Sequence, residues 1–374
     1  MLPPLSRADT SLLGRWWWTV DRWTLLAVGT LIGLGYVMML AASPAVAERI
    51  NQSRDIFILK QIFFLSAAGA IVVVVSLLSP RGVRRVALVG CLVALALTAL
   101  TLVAGVEIKG ARRWVSLPGL SLQPSEFLKP CFAVMAAWML TEGKRSAHFP
   151  GMLVAFGVYA VIVLLLKSQP DVGMLAVITG VFFLQLFVGG LNLVLAGIGV
   201  AGMAGAGVAA FAFFPHVRSR VMRFWDPTQG DNYQVTRSLE AFGNGGFLGR
   251  GPGEGRVKDL LPDAHADTVF AVAGEEFGMV LCLIIMGLFA FIVLRGLLRM
   301  LSEANEFVVL AATGLVASFG LQAFVNMAST LHLIPTKGMT LPFVSYGGSS
   351  ALAVALSMGM LLALTRRRHV GEVL

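Results

Sequence analysis

Long apolar runs dominate this chain and limit what it can fold into. Of its 374 residues, 57% are hydrophobic and only 13% are charged, and the mean hydropathy is +0.82. A soluble domain carries about 25% charged residues, whereas an apolar run of about 20 residues can cross a bilayer as a helix. The sequence therefore predicts an all-α, polytopic integral membrane protein that forms a single domain over residues 1–374.

Ten segments are predicted to span the membrane, so both termini should lie on the same side. Short cytoplasmic loops of membrane proteins are enriched in Lys and Arg. With the N-terminus in the cytoplasm, every substantial cytoplasmic segment is basic, from residues 1–22 to the tail at 366–374. One large extracytoplasmic loop then covers residues 215–267. The predicted spans are 23–43, 58–79, 86–105, 126–142, 151–167, 174–189, 192–214, 268–294, 306–328 and 343–365.

Charge and cysteine content argue against other classes of protein. The formal charge is +9, but the cations cluster at the ends of predicted spans, so topology explains most of the excess and we expect no nucleic-acid partner. The residues Cys91, Cys131 and Cys282 lie in apolar spans and are predicted to be buried hydrophobes, not disulfides or metal ligands. The N-terminal segment shows no cleavable signal-peptide pattern.

Two predicted extracytoplasmic segments carry cations against the topology signal. One is the short loop that holds Arg113, and the other is the 215–267 loop, which includes Arg218 and Arg223. A long loop can be translocated whatever its charge. Alternatively, these cations bind an anionic ligand such as a lipid phosphate or pyrophosphate.

An acid at the start of the eighth predicted span is the first candidate for chemistry. The run from Pro262 to Asp267 leads directly into that span, which also contains Glu275 and Glu276. Ionisable groups at membrane depth are costly and are usually kept for a function. Asp267 is therefore a candidate catalytic residue, with a helix N-cap as the alternative role. Because adjacent helical residues are about 100° apart, we expect the two glutamates to face different ways.

Other polar residues have both structural and functional interpretations. Ser125 is predicted to cap the fourth span, with Glu126 in its first turn and Lys129 placed to pair with it. That pair is either structural or part of a substrate groove. Asp171 either caps the next helix or lines a cavity. Glycine occupies seven of the thirteen residues 243–255, which favours either close backbone approach or a flexible loop.

The last span is preceded by a further polar stretch. Small residues around Ser345 favour close helix packing, which does not account for Lys337. The sequence shows no internal repeat, which argues against an inverted-repeat transporter.

Five polar motifs together resemble one family. The motifs are Ala111–Trp114, Gln123–Phe127, Gln169–Asp171, Pro262–Asp267 and Pro335–Ser350. With these motifs the chain is similar to the SEDS family (shape, elongation, division and sporulation), and its Pro335–Gly338 stretch resembles the division-type branch more than the elongation-type branch.

The resemblance implies a function and a set of partners. It implies a ten-span bacterial inner-membrane glycosyltransferase that polymerises lipid II, works with a class B penicillin-binding transpeptidase and meets other divisome proteins. The family's key acid maps onto Asp267, and His265 is also kept. The chain departs from the family pattern at Asp263, Ala266 and Thr268, where Glu, Thr and Phe are common.

The resemblance also suggests roles for individual residues. Asp267 would act as the general base on an acceptor hydroxyl. Arg113, Lys129 and Lys337 would hold the donor pyrophosphate, with Arg218 or Arg223 as further candidates. A divalent cation, Mg²⁺ or Mn²⁺, could share that work. Further substrate-contacting residues are predicted at Glu126, Asp171, His265, Glu276 and Ser345.

Two other functions fit the same resemblance. A lipid II flippase would need polar groups through the full membrane thickness, whereas the strongest motifs here concentrate on the predicted outer side. A noncatalytic scaffold that activates a transpeptidase would tolerate loss of the Asp267 carboxylate.

Overall fold

The computed structural model describes most of the chain and is almost entirely helical. It describes residues 11–49, 54–108, 111–117, 120–146, 148–225, 233–261, 263–335 and 338–367. Thirteen α-helices and a small three-stranded sheet lie within these ranges.

All ten predicted spans are helical. Seven of them are long and apolar enough to cross a membrane by length and composition, and α7 and α13 are shorter apolar helices. Helix α5 also matches a predicted span but carries charged residues near both ends. The ten helices are α2 (Arg22–Arg49), α3 (Arg54–Ser76), α4 (Pro80–Ala104), α5 (Ser125–Arg145), α6 (Gly151–Ser168), α7 (Val172–Val188), α8 (Leu193–Phe213), α11 (Val269–Met300), α12 (Glu306–Thr330) and α13 (Gly348–Leu364).

The last of these helices begins later than the sequence predicts. Helix α13 starts at Gly348 rather than at residue 343. Residues 342–347 form a compact turn, in which the backbone N–H of Leu341 donates a 2.8 Å hydrogen bond to Ser345 Oγ. The Phe343 side chain of this turn is only 1% exposed, so it is buried in the bundle. A hydroxyl that closes a local turn competes with helix formation, which delays the helix start.

Helix α12 lies at the buried centre of the bundle, whereas α8 lies at its periphery. In its most apolar stretch, α12 is 67% buried within the protein, whereas α8 is only 6% buried. Helices α5, α11 and α13 pack around α12. An all-round apolar helix with little protein contact is suited to a lipid surrounding. Helix α12 is therefore the element against which the polar site is built.

The shorter elements gather mainly at one end of the bundle, which we call the Asp267 end. The antiparallel strands β1 (Val106–Ile108), β2 (Ala111–Leu117) and β3 (Leu120–Leu122) lie there, with β2 in the middle. The predicted large loop contains two helices, α9 (Pro215–Trp225) and α10 (Tyr233–Gly245). Helix α10 packs along α11, so this part of the loop is structured.

The opposite end is closed by a buried acid, Asp21, and we call it the Asp21 end. Arg295 donates hydrogen bonds of 2.7 Å and 2.8 Å to the Asp21 carboxylate, and Arg299 lies 3.0 Å from it. Burial alone would raise the pKa of Asp21, but the hydrogen bonds from Arg295 and Thr24 and the charge of Arg299 hold that pKa below its usual value. The first helix, α1 (Leu12–Thr19), is joined to the same end, where Arg366 donates to Thr19.

Replacing Asp21 with Asn should destabilise the protein. The substitution leaves two arginines without their anionic partner, and their 29% and 23% exposure limits the loss to about 1–3 kcal/mol. The matched control is Glu306→Gln, because Glu306 is 41% exposed in its ion pair with Lys144 and such pairs contribute about 1 kcal/mol or less. Thermal unfolding in detergent measures both. Equal losses in the two variants would contradict a special role for the buried pair.

Candidate active site at the Asp267 end

Asp267 is half-buried beside a small cleft. Its backbone N–H donates a 3.1 Å hydrogen bond to Asp263 O, which closes the turn before α11. The N-cap position of α11 is Thr268, not Asp267, and the Thr268 side chain makes no capping bond to any described residue. The N-cap alternative for Asp267 is therefore wrong. The cleft is lined by Gln234, Val235, Ser238, Asp267, Thr268, Ser329 and Thr330.

The backbone around Asp267 is held by an amide from α12. Asn326 is fully buried, and its Nδ2 donates to Asp267 O at 3.0 Å and to Met339 O at 2.6 Å. The segment after residue 337 also passes close to the acid, because a Cβ on Gly338 would lie 2.9 Å from Asp267 Oδ2. One buried amide thus joins the acid to the chain that precedes α13.

A second polar cluster forms around Gln322 of α12. Lys129 Nζ is 2.7 Å from Glu126 Oε2 and donates a 2.5 Å hydrogen bond to Gln322 Oε1. Gln322 Nε2 in turn donates to Thr340 O at 3.0 Å and to Ser350 Oγ at 3.1 Å. Lys129 and Glu126 pair as predicted. Their proposed contact with substrate stays a prediction.

The predicted cap of α5 is wrong. The N-cap position is Pro124, and Ser125 is the first helical residue. Ser125 instead accepts a 3.1 Å hydrogen bond from Gln123 Nε2. Proline at the helix start already fixes the backbone for the first turn, so a hydroxyl cap is not needed to set it.

Helix α12 supplies polar groups that the motif analysis missed. Gln322, Asn326 and Thr330 recur every four residues, so they share one face of the helix, with Ser329 beside them. Gln322 and Asn326 are almost fully buried. Their regular spacing within an apolar span could have identified them from the sequence, because polar groups inside a membrane need hydrogen-bond partners.

Both glutamates of α11 point into the glycine-rich loop. Glu275 Oε1 accepts from the backbone N–H groups of Arg256 at 2.9 Å and Val257 at 3.0 Å. Glu276 accepts from Gly253 N at 2.8 Å and from Lys258 Nζ at 2.5 Å. The expectation that they face different ways is wrong. The loop wraps across both positions, so each carboxylate finds its hydrogen-bond donors there.

Gly278 lies three residues after Glu275, and its positive φ of 76° interrupts α11 just beyond the two acids. The loop follows α11 through backbone hydrogen bonds on both sides of this break. Arg250 N donates to Glu275 O at 2.9 Å, and Met279 N donates to Gly246 O at 3.0 Å. The loop therefore lies against α11 as an extra layer, and both carboxylates can reach it.

The glycines are needed for this close contact. A Cβ on Gly249 would lie 2.2 Å from Glu276 O, and one on Gly245 would lie 1.9 Å from Gly274 O. Gly249 also has a φ of +83°, which side chains disfavour. The dense glycine predicted either a close approach or a flexible loop. The structure shows the close approach, and the surface approached is the protein's own helix.

Arg113 and Asp171 brace a turn. Arg113 donates from Nε to Gln169 O at 3.0 Å and from an Nη to Pro170 O at 2.8 Å, and it lies 3.5 Å from Asp171 Oδ2. Asp171 is the N-cap of α7, where Oδ1 accepts from Met174 N at 3.1 Å. The capping interpretation of Asp171 is confirmed. The predicted binding of pyrophosphate by Arg113 and of substrate by Asp171 stays a prediction.

His265 and Ser345 are buried near the 342–347 turn that precedes α13. His265 O accepts a 2.8 Å hydrogen bond from Tyr346 N, and its ring packs between Phe57 and Tyr346. Burial lowers the pKa of His265, and the nearby Asp263 charge opposes this only in part. Ser345 closes the turn before α13 as described above. Neither contact shows a substrate role, and both roles stay predictions.

The remaining predicted binding residues can be placed only in part. Lys337 lies outside the described residues, and so does the side chain of Arg223. Arg218 lies 6.0 Å from the ring centroid of Phe211. Among the described residues, no group of three or more His, Cys, Asp or Glu side chains is arranged to hold a metal ion. A Mg²⁺ or Mn²⁺ ion can also be held by one or two carboxylates together with substrate phosphates, so the divalent-cation call stays a prediction.

Comparison with known proteins identifies the family. Residues 22–370 match the FtsW/RodA/SpoVE family, described as cell cycle proteins. The chain belongs to this family. It is 44% identical over 365 residues to a probable peptidoglycan glycosyltransferase FtsW of Caulobacter vibrioides, covering 97% of this chain and 93% of that protein. It is 33% identical to a protein of the same name from Trichlorobacter lovleyi, covering 91% and 92%.

Solved structures support the same membership. One similar chain comes from a peptidoglycan synthase complex that coordinates polymerization and crosslinking, with 27% identity, a TM-score of 0.76 and coverage of 92% of this chain and 97% of that chain. The rod shape determining protein RodA of Thermus thermophilus has 26% identity, a TM-score of 0.69 and coverage of 93% and 97%. The resemblance to the SEDS family is confirmed, and the protein is a multi-pass membrane protein of this family.

Substituting Gly249 with Ala should loosen the loop. The added Cβ would meet the Glu276 carbonyl and would occupy a left-handed backbone conformation, for an expected loss of about 1–3 kcal/mol. Gly243→Ala is the control, because nothing lies within 4 Å of its Cβ position inside α10. Thermal unfolding should show a lower Tm only for Gly249→Ala. A similar Tm for both variants would contradict the close packing.

The buried imidazole should make stability depend on pH. The folded-state pKa of His265 is below its ordinary value, so the unfolded chain takes up this proton first and stability falls as pH drops below about 6.5. His265→Gln should flatten the stability curve between pH 7.5 and pH 5, as measured by thermal unfolding. Parallel curves for the wild type and the variant would show that His265 does not contribute.

Proposed function

We propose that the protein is a peptidoglycan glycosyltransferase that polymerises lipid II. One observation carries this proposal. Asp267 stands half-buried at a cleft, with its backbone tied to a polar face of α12, in a chain 44% identical to a probable peptidoglycan glycosyltransferase. A carboxylate fixed beside a cleft suits general base catalysis, because proton abstraction needs a base within hydrogen-bond reach of the reacting hydroxyl.

The proposed reaction is an inverting displacement. Asp267 takes the proton of the acceptor sugar's 4-hydroxyl, and that oxygen forms a bond to the anomeric carbon of the donor. The bond from the anomeric carbon to the pyrophosphate oxygen breaks, and undecaprenyl pyrophosphate leaves with the electron pair. The α-linked donor becomes a β-linkage. The Asn326 amide contributes by fixing the backbone that carries the base.

Charge stabilisation of the leaving group is assigned to the predicted cations. Arg113 is 30% exposed and is already braced against the Gln169–Asp171 turn, so its orientation is set before a ligand arrives. Lys129 is only 3% exposed and is paired with Glu126, so contact with pyrophosphate would require that ion pair to open. Arg113 is therefore the better placed of the two in this conformation. The proposed contribution of Lys337 rests on its family motif.

In this proposal the Asp267 end lies on the extracytoplasmic side of a bacterial inner membrane. The Asp21 end, with both chain termini, then faces the cytoplasm. The basic residues of the short loops at the Asp21 end support this orientation. Lipid II would reach the cleft from the outer leaflet.

The proposed partner is a class B penicillin-binding transpeptidase. A similar solved chain belongs to a peptidoglycan synthase complex that couples polymerization with crosslinking. The similar curated proteins carry the division-type name FtsW, which supports a role in septal wall synthesis with other divisome proteins.

Lipid II polymerisation by the purified protein with its transpeptidase partner tests the proposal. Asp267→Asn keeps the size of the side chain and removes its basicity, so we expect a loss of at least about 100-fold in rate. Glu254→Gln is the matched control, because Glu254 is an exposed carboxylate in the glycine-rich loop. Both variants should first be shown to fold and to bind the partner.

The outcomes separate three functions. Glycan strands from the wild type and from Glu254→Gln, but not from Asp267→Asn, would support the enzyme. Equal polymer from all three would remove Asp267 as the base. A folded, partner-bound wild type that makes no polymer would contradict the proposal and favour a flippase or a scaffold.

A further inference from the structure

Four arginines gather at the Asp21 end of the bundle, where α4 begins and α5 ends. Arg366, which holds α1 to this end, also donates to Leu77 O at 3.3 Å, just before α4. Helices α4 and α5 pack against each other, so basic residues at these two helix ends become neighbours. The Arg84 cluster consists of Arg81, Arg84 and Arg85 in the first two turns of α4 and Arg145 at the end of α5.

The Arg84 cluster lacks the acidic partners that other cations of this end have. Lys144 pairs with Glu306, and Arg295 pairs with Asp21. In contrast, no arginine of the cluster forms an ion pair or donates a side-chain hydrogen bond to a residue that the structure describes. These four side chains therefore have donors to offer to a ligand.

The positive charge of the cluster is largely uncompensated. Arg81 and Arg145 are close enough to repel the Arg84 guanidinium. Glu142 attracts it without forming an ion pair, so four cations stand against one carboxylate. Cations in the first turns of α4 also face the positive end of the helix macrodipole, which disfavours them there. An anion bound between the arginines would relieve this repulsion.

Arg84 is turned inward and held on aromatic rings. It is half-buried, whereas the other three arginines are exposed. Its guanidinium carbon lies 4.1 Å from the ring centroid of Phe307 and 6.0 Å from that of Trp138. Its Nε is buried and has no hydrogen-bond partner among the described residues. Attraction to an aromatic face fixes a guanidinium and leaves its in-plane N–H groups able to donate.

Membrane topology explains why arginines lie at this end but not why Arg84 points inward. The positive-inside rule needs only cations in the loops and at the helix ends. A long basic side chain at a membrane edge ordinarily extends its charged head into water. Arg84 instead places its head between α5 and α12, where Trp138 and Phe307 lie. The result is an oriented cationic site.

An apolar surface continues from the cluster along α4. Arg85, Val89 and Leu92 share one face of the helix, with Val93 beside them. Val89, Leu92 and Val93 are 59%, 58% and 51% exposed. A phosphate at the arginines would therefore have exposed apolar helix next to it, in the direction of the membrane interior. This combination suits a phospholipid, in which a phosphate is joined to acyl chains, better than a free phosphate.

We propose that the Arg84 cluster binds the headgroup phosphate of an anionic phospholipid, with an acyl chain against the exposed face of α4 that contains Val89 and Leu92. Basic pockets between transmembrane helices bind such headgroups in other membrane proteins. In the orientation proposed above, this lipid belongs to the cytoplasmic leaflet, at the opposite end from Asp267. The inference goes beyond the proposed reaction, and its test needs no catalysis, so either can fail without the other.

Native mass spectrometry of the full-length protein, released from detergent micelles, measures bound lipid directly. The probe is phosphatidylglycerol, and phosphatidylcholine with the same acyl chains is the zwitterionic reference. The wild type should bind phosphatidylglycerol at least about fivefold more tightly than phosphatidylcholine, since each arginine near an anionic headgroup contributes roughly that factor. Inorganic phosphate at the same concentration should not displace the lipid.

Three substitutions locate the site. Arg84→Gln removes the charge and should reduce the preference for phosphatidylglycerol about fivefold, whereas Arg84→Lys keeps the charge without the planar fork and should retain part of it. Arg85→Gln should also reduce the preference, and because Arg85 is exposed its replacement leaves the core unchanged. Arg15→Gln is the matched control, because Arg15 is an exposed arginine of α1 at the same end but outside the cluster.

Thermal unfolding first shows which variants are folded, and Arg85→Gln decides the question if Arg84→Gln is not. Equal affinity of the wild type for the two lipids would overturn the proposal. Equal losses in Arg15→Gln and the cluster variants would also overturn it, because the general charge of this end would then be responsible. Displacement of phosphatidylglycerol by inorganic phosphate would assign the arginines to a free phosphate compound instead of a lipid.

Discussion

The two buried glutamates of α11 determine the path of the chain that reaches Asp267. Glu275 and Glu276 are 0% and 1% exposed, so their charges must be neutralised within the protein. Backbone N–H groups of the glycine-rich loop and the Lys258 ammonium provide those partners. Lys258 also donates to Ala41 O at 3.2 Å, which ties the loop to α2. The loop is thus anchored a few residues before the turn that carries Asp267.

Helix α12 also fixes the position of the chain near Asp267, but through uncharged side chains. Its buried amides bind groups that precede and follow α11, and Gln322 links the Lys129 cluster to the chain before α13. Side-chain amides are suited to this position because they donate and accept without carrying charge. The site therefore stands between a charged anchor on α11 and a neutral one on α12, and α10 closes it from the large loop.

Several features were predictable because they depend on local sequence. Apolar runs of bilayer length predicted all ten long helices, with most bounds within a few residues. Asp171 was predicted as a cap, and the cap is present. The Glu126–Lys129 pair followed from their three-residue spacing. The predictions for Ser125 and for an Asp267 cap failed, because a proline and a turn set those helix starts instead.

The sequence by itself determined the fold class, the number of long helices and the polar motifs, because hydropathy and helical spacing are local properties. Only the tertiary structure decided which polar groups meet. The two α11 glutamates reach one loop because that loop folds back over the helix, a long-range contact that helical angles do not contain. The cleft beside Asp267 likewise needs three helices brought together, because each supplies only part of its lining.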